Sequence, residues 1–170
     1  MSKAESHQFH GTLGEKIAQG MKPENLKANL IGWAKDVEKY LLGKSKTKRD
    51  KFNTACVAFD ETTGKLYFGR NDGINREGSN VVKNPILFGN DKHEGILPKE
   101  SLNDNPTPWN CAETDAINKA LNNGAKLENI HIYTMHTTKS RFGKPKESCL
   151  NCKTAYKSRI KKNHTGWIDD

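Results

Sequence analysis

From Pro23 onward, apolar side chains return every three or four residues, at Leu26, Leu30, Trp33, Val37, Tyr40 and Leu41, and Pro23 suits a first helical turn. The spacing predicts an amphipathic helix from Pro23 to about Leu42. The pattern then lapses: Gly43-Lys44-Ser45-Lys46-Thr47-Lys48-Arg49-Asp50-Lys51 holds five cations and no apolar residue, the composition of a solvated linker. Beyond it the period changes. Asn53 to Asp60 is β-branched and apolar, Lys65 to Asn71 alternates, and Glu61-Thr62-Thr63-Gly64 between them is a natural hairpin loop. Residues 71–108 carry only short apolar islands, Val81-Val82 and Ile86-Leu87-Phe88, among Asn, Gly, Asp and Pro, so a long functional loop is expected there. Asn110 to Leu121 shows a helical stripe (Ala112, Ala116, Ile117, Ala120, Leu121), with Asn110 as the expected cap and Asn122-Asn123-Gly124 as the stop. Asn129 to Met135 is a strand with Ile130, Ile132 and Thr134 on one face. A loop from His136 to Ser148 leads to a second helix over Cys149 to about Lys161. The order strand, strand, helix, strand, helix predicts an α/β sandwich, with a crossover joining the third strand to its neighbour. Residues 1–51 form a helical extension and basic linker ahead of a mixed domain over residues 52–170.

Composition narrows the class. The 170 residues, 34% hydrophobic, suffice for one ordinary core. No apolar run nears the ~20 residues of a membrane span, and Met1-Ser2-Lys3-Ala4-Glu5-Ser6-His7 lacks the apolar stretch of a secretory signal, so neither membrane insertion nor signal-peptide secretion is expected. A net charge of +8 favours polyanionic partners, nucleic acid first among them.

Four cysteines, Cys56, Cys111, Cys149 and Cys152, are too few for a disulfide scaffold and point instead to metal or redox chemistry. Cys149-Leu150-Asn151-Cys152 puts two thiols at i and i+3 on an opening helical turn, where free N–H groups favour thiolates and both sulfurs reach one ion. Cys111 opens the earlier helix and supplies a third. A closed four-thiolate site would need Cys56 from mid-strand; an open fourth position, the signature of a catalytic metal, is the stronger expectation. Glu113 adds to it. Two residues after Cys111 and at a helix end, its carboxylate can lean toward the same point, beside the open position.

At Asn110-Cys111-Ala112-Glu113 and Cys149-Leu150-Asn151-Cys152 the chain resembles the zinc-dependent cytidine-deaminase-like superfamily, whose signature is His or Cys, any residue, Glu, then Pro-Cys-x-x-Cys. It is most similar to the bacterial polymorphic-toxin deaminases, the YwqJ-like group. The resemblance spans roughly Asn53 to Ile160. It implies a cytidine-deaminase-like α/β/α sandwich in which a β-hairpin comes first and the two motifs open the helices flanking the third strand. It also implies Zn²⁺ on Cys111, Cys149 and Cys152, with Glu113 as the proton carrier in hydrolysis of cytosine to uracil. Two departures stand out: Ser148 replaces the usual Pro and leaves the approach to Cys149 less rigid, and little chain remains for a fourth and fifth strand.

Further substrate contacts are expected at Asn71, which ends the second strand, at Ala112 between ligand and carboxylate, at Trp109 as a stacking surface, and at His136 after the third strand. Turn chemistry at Asn71-Asp72-Gly73, a hydrophobic staple at Trp109 and an ordinary surface histidine are the plainer accounts. Cys56 reads as a buried small hydrophobe. The expected activity is zinc-dependent nucleobase deamination on DNA or RNA by a toxin domain delivered within a larger secreted protein. Such a domain would act in a target cell's cytoplasm and be opposed by an acidic immunity protein. A free cytidine or nucleotide deaminase and a non-catalytic zinc module binding nucleic acid are the alternatives.

Overall fold

In the computed structural model, which describes residues 11–74, 80–103, 107 and 109–169, the two sequence periods become helices and strands close to where they were expected. The opening Met1 to His7 and the loop end at Pro108 lie outside the described residues. Six α-helices are described: α1 (Leu13–Gly20), α2 (Pro23–Leu41), α3 (Lys46–Asp50), α4 (Pro85–Phe88), α5 (Ala112–Asn122) and α6 (Leu150–Tyr156). The strands are β1 (Thr54–Asp60), β2 (Leu66–Arg70), β3 (Ile130–His136) and β4 (Lys162–Asn163). They make one mixed sheet in the order β2-β1-β3-β4, in which β1 runs antiparallel to both neighbours and β3 parallel to β4. The parallel pair is joined through α6, as a crossover requires. None of the described helices is long and apolar enough to cross a membrane.

Both faces of the sheet are covered, so β1 reads as a continuous apolar run and every one of its residues is buried. Ala55, Val57, Phe59, Tyr133 and Met135 pack against Leu26, Leu30 and Ala34 of α2. Cys56, Ala58, Ile130 and Ile132 pack against Ala116, Ile117 and Ala120 of α5 and Ala155 and Tyr156 of α6. The result is three layers, helix on sheet on helix. Leu26 and Leu30 are fully excluded from water, and each contributes roughly 1.5–3 kcal/mol to holding α2 in place.

Several local expectations are corrected. The basic linker is not all coil: Ser45 accepts the N–H of Lys48 and starts the one-turn α3. Helix α1, which hydrophobic periodicity alone did not single out, starts where the Thr12 hydroxyl accepts the Glu15 N–H. Asn110 does not cap α5; Cys111 holds the cap position and makes no side-chain cap bond. Helix α6 ends at Tyr156, short of Lys161, and β4 is only two residues long because the Asn163 amide turns back to Gly166 O (2.8 Å). The segment after β2 adds no described strand. It is clamped to α5 instead, where Asn118 accepts from Asn84 N–H (2.8 Å) and donates to Val82 O (2.8 Å), while Asn122 meets the Asn84 amide (3.0 Å).

Helix α5 lies almost in backbone contact with β2. A Cβ at Gly69 would stand 2.3 Å from Ala116 N and 2.5 Å from Ala112 O, too close for any side chain. On the exposed edge of β2, Asp115 accepts the Arg70 N–H (3.0 Å) and Lys119 donates to Phe68 O (2.6 Å), filling positions another strand would otherwise take. At the opposite edge, the His131 ring contacts the Glu61 carboxylate (3.1 Å) and His164 (3.3 Å), tying the chain after β4 to β3.

Two outcomes follow from this packing. Gly69→Ala should destabilise the fold by at least the ~1–3 kcal/mol typical of overpacking, read as a lower urea midpoint; an unchanged midpoint would mean that α5 can shift without cost. The second concerns pH. Burial, then the neighbouring His131 and Lys162, lower the His164 pKa to about 4, below its ordinary 6.5. As pH falls through this window the unfolded chain binds a proton that the native one refuses, so stability is complete above about 6.5 and is lost toward 4. His136, held down by burial and nearby cations, acts in the same direction. In urea titrations from pH 4 to 7.5, His164→Gln should flatten the slope below 6.5 without abolishing it.

Candidate metal centre

The three expected ligands converge. Cys111 caps α5, Cys149 caps α6, and Cys152 lies one turn into α6; their sulfurs all fall within 4.8 Å of one another, with Cys111 and Cys149 3.4 Å apart. Four-coordinate zinc with Zn–S bonds of ~2.3 Å places its sulfurs about 3.8 Å apart, inside this range. A disulfide needs ~2.05 Å, and all four cysteines are free thiols. A compact set of three soft donors fits zinc and is foreign to magnesium or calcium. Cys56 does not join: it is fully buried in β1, with its sulfur 3.6 Å from Val57 O, and the group formed among the described residues has three members. Among the described residues no fourth side chain joins the three sulfurs.

The cluster concentrates negative charge at one sulfur. Contacts from the Cys111 and Cys152 thiols, joined by the Cys152 backbone and the Asn103 side chain, pull the Cys149 pKa down to about 2. The Cys149 contact, with burial, pushes Cys111 up against the opposing Cys152 contact, and the contacts from Cys111 and Cys149, with burial, push Cys152 up. A divalent cation would relieve this by taking the place of the shared protons. Glu113, 4% exposed on the first turn of α5, is raised by burial first and by the Cys149 charge second. The Ser148 hydroxyl, its own backbone N–H and the Lys146 ammonium oppose that rise. Its carboxyl is thus held above the ordinary carboxylate range beside the cysteines.

The expectation of a loose approach to Cys149 is overturned. Ser148 is fully buried, its N–H donates to Gly166 O (2.9 Å), its carbonyl accepts from Ile168 (2.9 Å), and its hydroxyl accepts from the Asn163 amide (3.0 Å). A bridge to Trp167 substitutes for the stiffness of a proline ring.

The remaining candidates divide. Asn71 is a clasp: its Oδ1 accepts the N–H groups of Asn53 and Thr54 (3.1 Å each) and its amide donates to Lys51 O, which ties the end of β2 to the start of β1. Ala112 is 1% exposed and belongs to the core, offering the site no more than its backbone. Trp109 sits half-buried on one wall of a cavity of about 510 Å³ that residues 87–95 and 97–99 complete, with Lys83 6.0 Å from its ring. His136 ends β3 at the site's end of the sheet, and Lys146 bears on both it and Glu113. Lys146 and Asn103 were not singled out in the sequence; each acts through tertiary contact, and no local spacing marks them.

Compared with known family models, curated proteins and solved structures, the chain matches none. The metal assignment is testable directly. Cys111→Ser, Cys149→Ser and Cys152→Ser should each lower bound zinc from about one per chain and reduce thermal stability, while Cys56→Ser keeps the metal. Elemental analysis showing full zinc in all three variants removes the assignment.

Proposed function

We propose that the chain is a zinc-dependent nucleobase deaminase that converts cytosine to uracil within DNA or RNA. One observation carries the reading: three thiols from two helix starts converge within 4.8 Å beside a buried carboxyl, and a purely structural zinc site has no use for that carboxyl. The motif resemblance at Cys111-Ala112-Glu113 and Cys149 to Cys152 supplies the reaction class and the finer fold assignment. The toxin setting, action in a target cell's cytoplasm and an acidic immunity partner rest on that resemblance alone.

Zinc, when bound, supplies a Lewis acid that brings the acidity of a coordinated water to near neutral pH. The protein supplies the proton path. Glu113 accepts a proton from the attacking water and delivers it to the ring nitrogen next to the amino-bearing carbon. The water oxygen bonds to that carbon, the carbon–nitrogen bond breaks, and the departing amino group takes its last proton through Glu113 and leaves as ammonia. Burial suits the carboxyl to this exchange, since a residue that must both take and give a proton works best with a pKa near the working pH.

A second basic segment, Lys157, Arg159, Lys161 and Lys162, follows α6, and strand register relates it and residues 44–51 to the site. Residues 44–51 run into Thr54, which pairs with His136 at the site's end of β3, whereas Lys162 pairs with His131 at the far end. Five residues of strand, about 17 Å, separate the two ends. The two segments therefore meet the sheet at opposite ends, and residues 44–51 lead into the site's end.

Glu113→Gln should retain zinc yet lose at least ~10²-fold in deamination. Replacing Lys46, Lys48 and Arg49 with Glu should weaken binding to single-stranded oligonucleotides and flatten the salt dependence, by about 0.7 in log-log slope per lost contact. Both are read by converting oligonucleotides and free cytidine at low and high salt. Cytidine turnover with no oligonucleotide product at any salt shifts the function to a free-nucleoside deaminase, and near-normal rates in zinc-loaded Glu113→Gln remove the mechanism.

A further inference from the structure

The two helices that bring the cysteines together are joined a second time, one turn deeper. Thr114 Oγ1 lies 2.8 Å from the hydroxyl of Tyr156, and neither residue has any solvent exposure. Thr114 is three residues after Cys111 and Tyr156 four after Cys152, the spacings that stack side chains on one helical face. The face of α5 that presents Cys111 thus also presents Thr114, and the face of α6 that presents Cys152 also presents Tyr156. With a rise of ~1.5 Å per residue, the hydroxyl pair sits about 5 Å further along the helices than the sulfurs.

We propose that Thr114 and Tyr156 form a positioning pair that fixes the spacing of α5 against α6 and so preforms the three-thiolate site for its metal. An apolar contact at this depth would bury the helices equally well but would allow them to slide, because dispersion and desolvation carry little direction. A hydroxyl pair in a dry interface does not: moving either helix leaves a polar group without a partner. Zinc geometry tolerates errors of only a few tenths of an ångström, so a fixed inter-helix distance bears directly on affinity. Elsewhere on α5 the buried polar side chains serve other contacts, Asp115 on β2 and Asn118 on the clamp to Val82. Among the described residues, Thr114 is the buried polar side chain within α5 whose hydrogen bond reaches α6.

This inference rests on the thiols being metal ligands and is independent of the deamination chemistry, so its readouts are metal affinity and spectrum. The full-length chain, stripped of metal under reducing conditions, would be titrated with Zn²⁺ against a chromophoric chelator and with Co²⁺ by visible absorption, as wild type, Tyr156→Phe, Thr114→Val, the double variant and Thr114→Ser. Tyr156→Phe and Thr114→Val should each weaken Zn²⁺ binding by about 3- to 10-fold, the scale of one hydrogen bond, and shift the Co²⁺ bands. The double variant should lose little more than either single one, and Thr114→Ser should stay near wild type. Wild-type affinity and Co²⁺ bands in Thr114→Val and Tyr156→Phe, even with a lowered apo melting temperature, would reduce the pair to ordinary core and overturn the proposal. Should Tyr156→Phe not fold, the contrast between Thr114→Val and Thr114→Ser decides alone. A wild-type chain that takes up neither ion overturns the metal assignment and this inference together.

Discussion

Helix α5 can lie where it does only because β2 offers it no side chain at Gly69. That near-contact of backbones sets the height of the helix over the sheet, and most of what is distinctive in the molecule hangs from it. The start of α5 carries Cys111 and Glu113 over the end of the sheet, next to the start of α6. Its flank closes the β2 edge with Asp115 and Lys119, and its second and third turns hold Val82 and Asn84 through Asn118 and Asn122. A helix one side chain further from the sheet would lose these bonds together, since each spans 3.0 Å or less.

Burial along α5 is unusual in its chemistry. Glu113, Thr114, Asp115 and Asn118 are all buried, although a helix on a sheet ordinarily turns such residues outward. Removing a polar group from water is unfavourable unless it finds a partner, and each of the four has one: Tyr156 for Thr114, the Arg70 N–H for Asp115, Val82 and Asn84 for Asn118, and the Ser148 hydroxyl for Glu113. Glu113 differs in that burial and the Cys149 charge outweigh its partners, Ser148, its own backbone N–H and Lys146, and leave its pKa raised. A buried group perturbed by both desolvation and a neighbouring charge is a candidate for function, and here it is the one the proposed chemistry needs.

The contrast between what could and could not be read from the sequence follows the range of the interactions. Cys149 and Cys152 share a turn, and Cys111 and Glu113 share a helix start, so spacing alone was enough to nominate them. Helix α2 and the hairpin were legible for the same reason: each is written in a single period. The clasp made by Asn71 was not legible because its partners, Lys51, Asn53 and Thr54, lie on the preceding strand and the linker before it. Ser148 was misjudged because its rigidity comes from residues 163–168, which no local pattern ties to it. Composition counted the basic clusters but could not give their positions, and only the pairing of β3 with β1 and β4 shows them at opposite ends of the sheet.

That separation bears on how a polyanion could approach. The centre itself is a poor place for phosphate, since Glu113 and the charge that gathers on Cys149 lie within reach of one another, and even a divalent ion would not fully cancel three thiolates and a carboxylate. Attraction has to come from the surroundings. Arg141, Lys144 and Lys146 all bear on His136, and Lys146 also bears on Glu113 while its ammonium is anchored 2.6 Å from the Thr54 hydroxyl. Together with residues 44–51 they give the site's end of the sheet a cationic surround about an anionic centre. Such a field would hold a sugar-phosphate backbone outside while admitting an uncharged base, which is the division of labour that deamination within a strand requires.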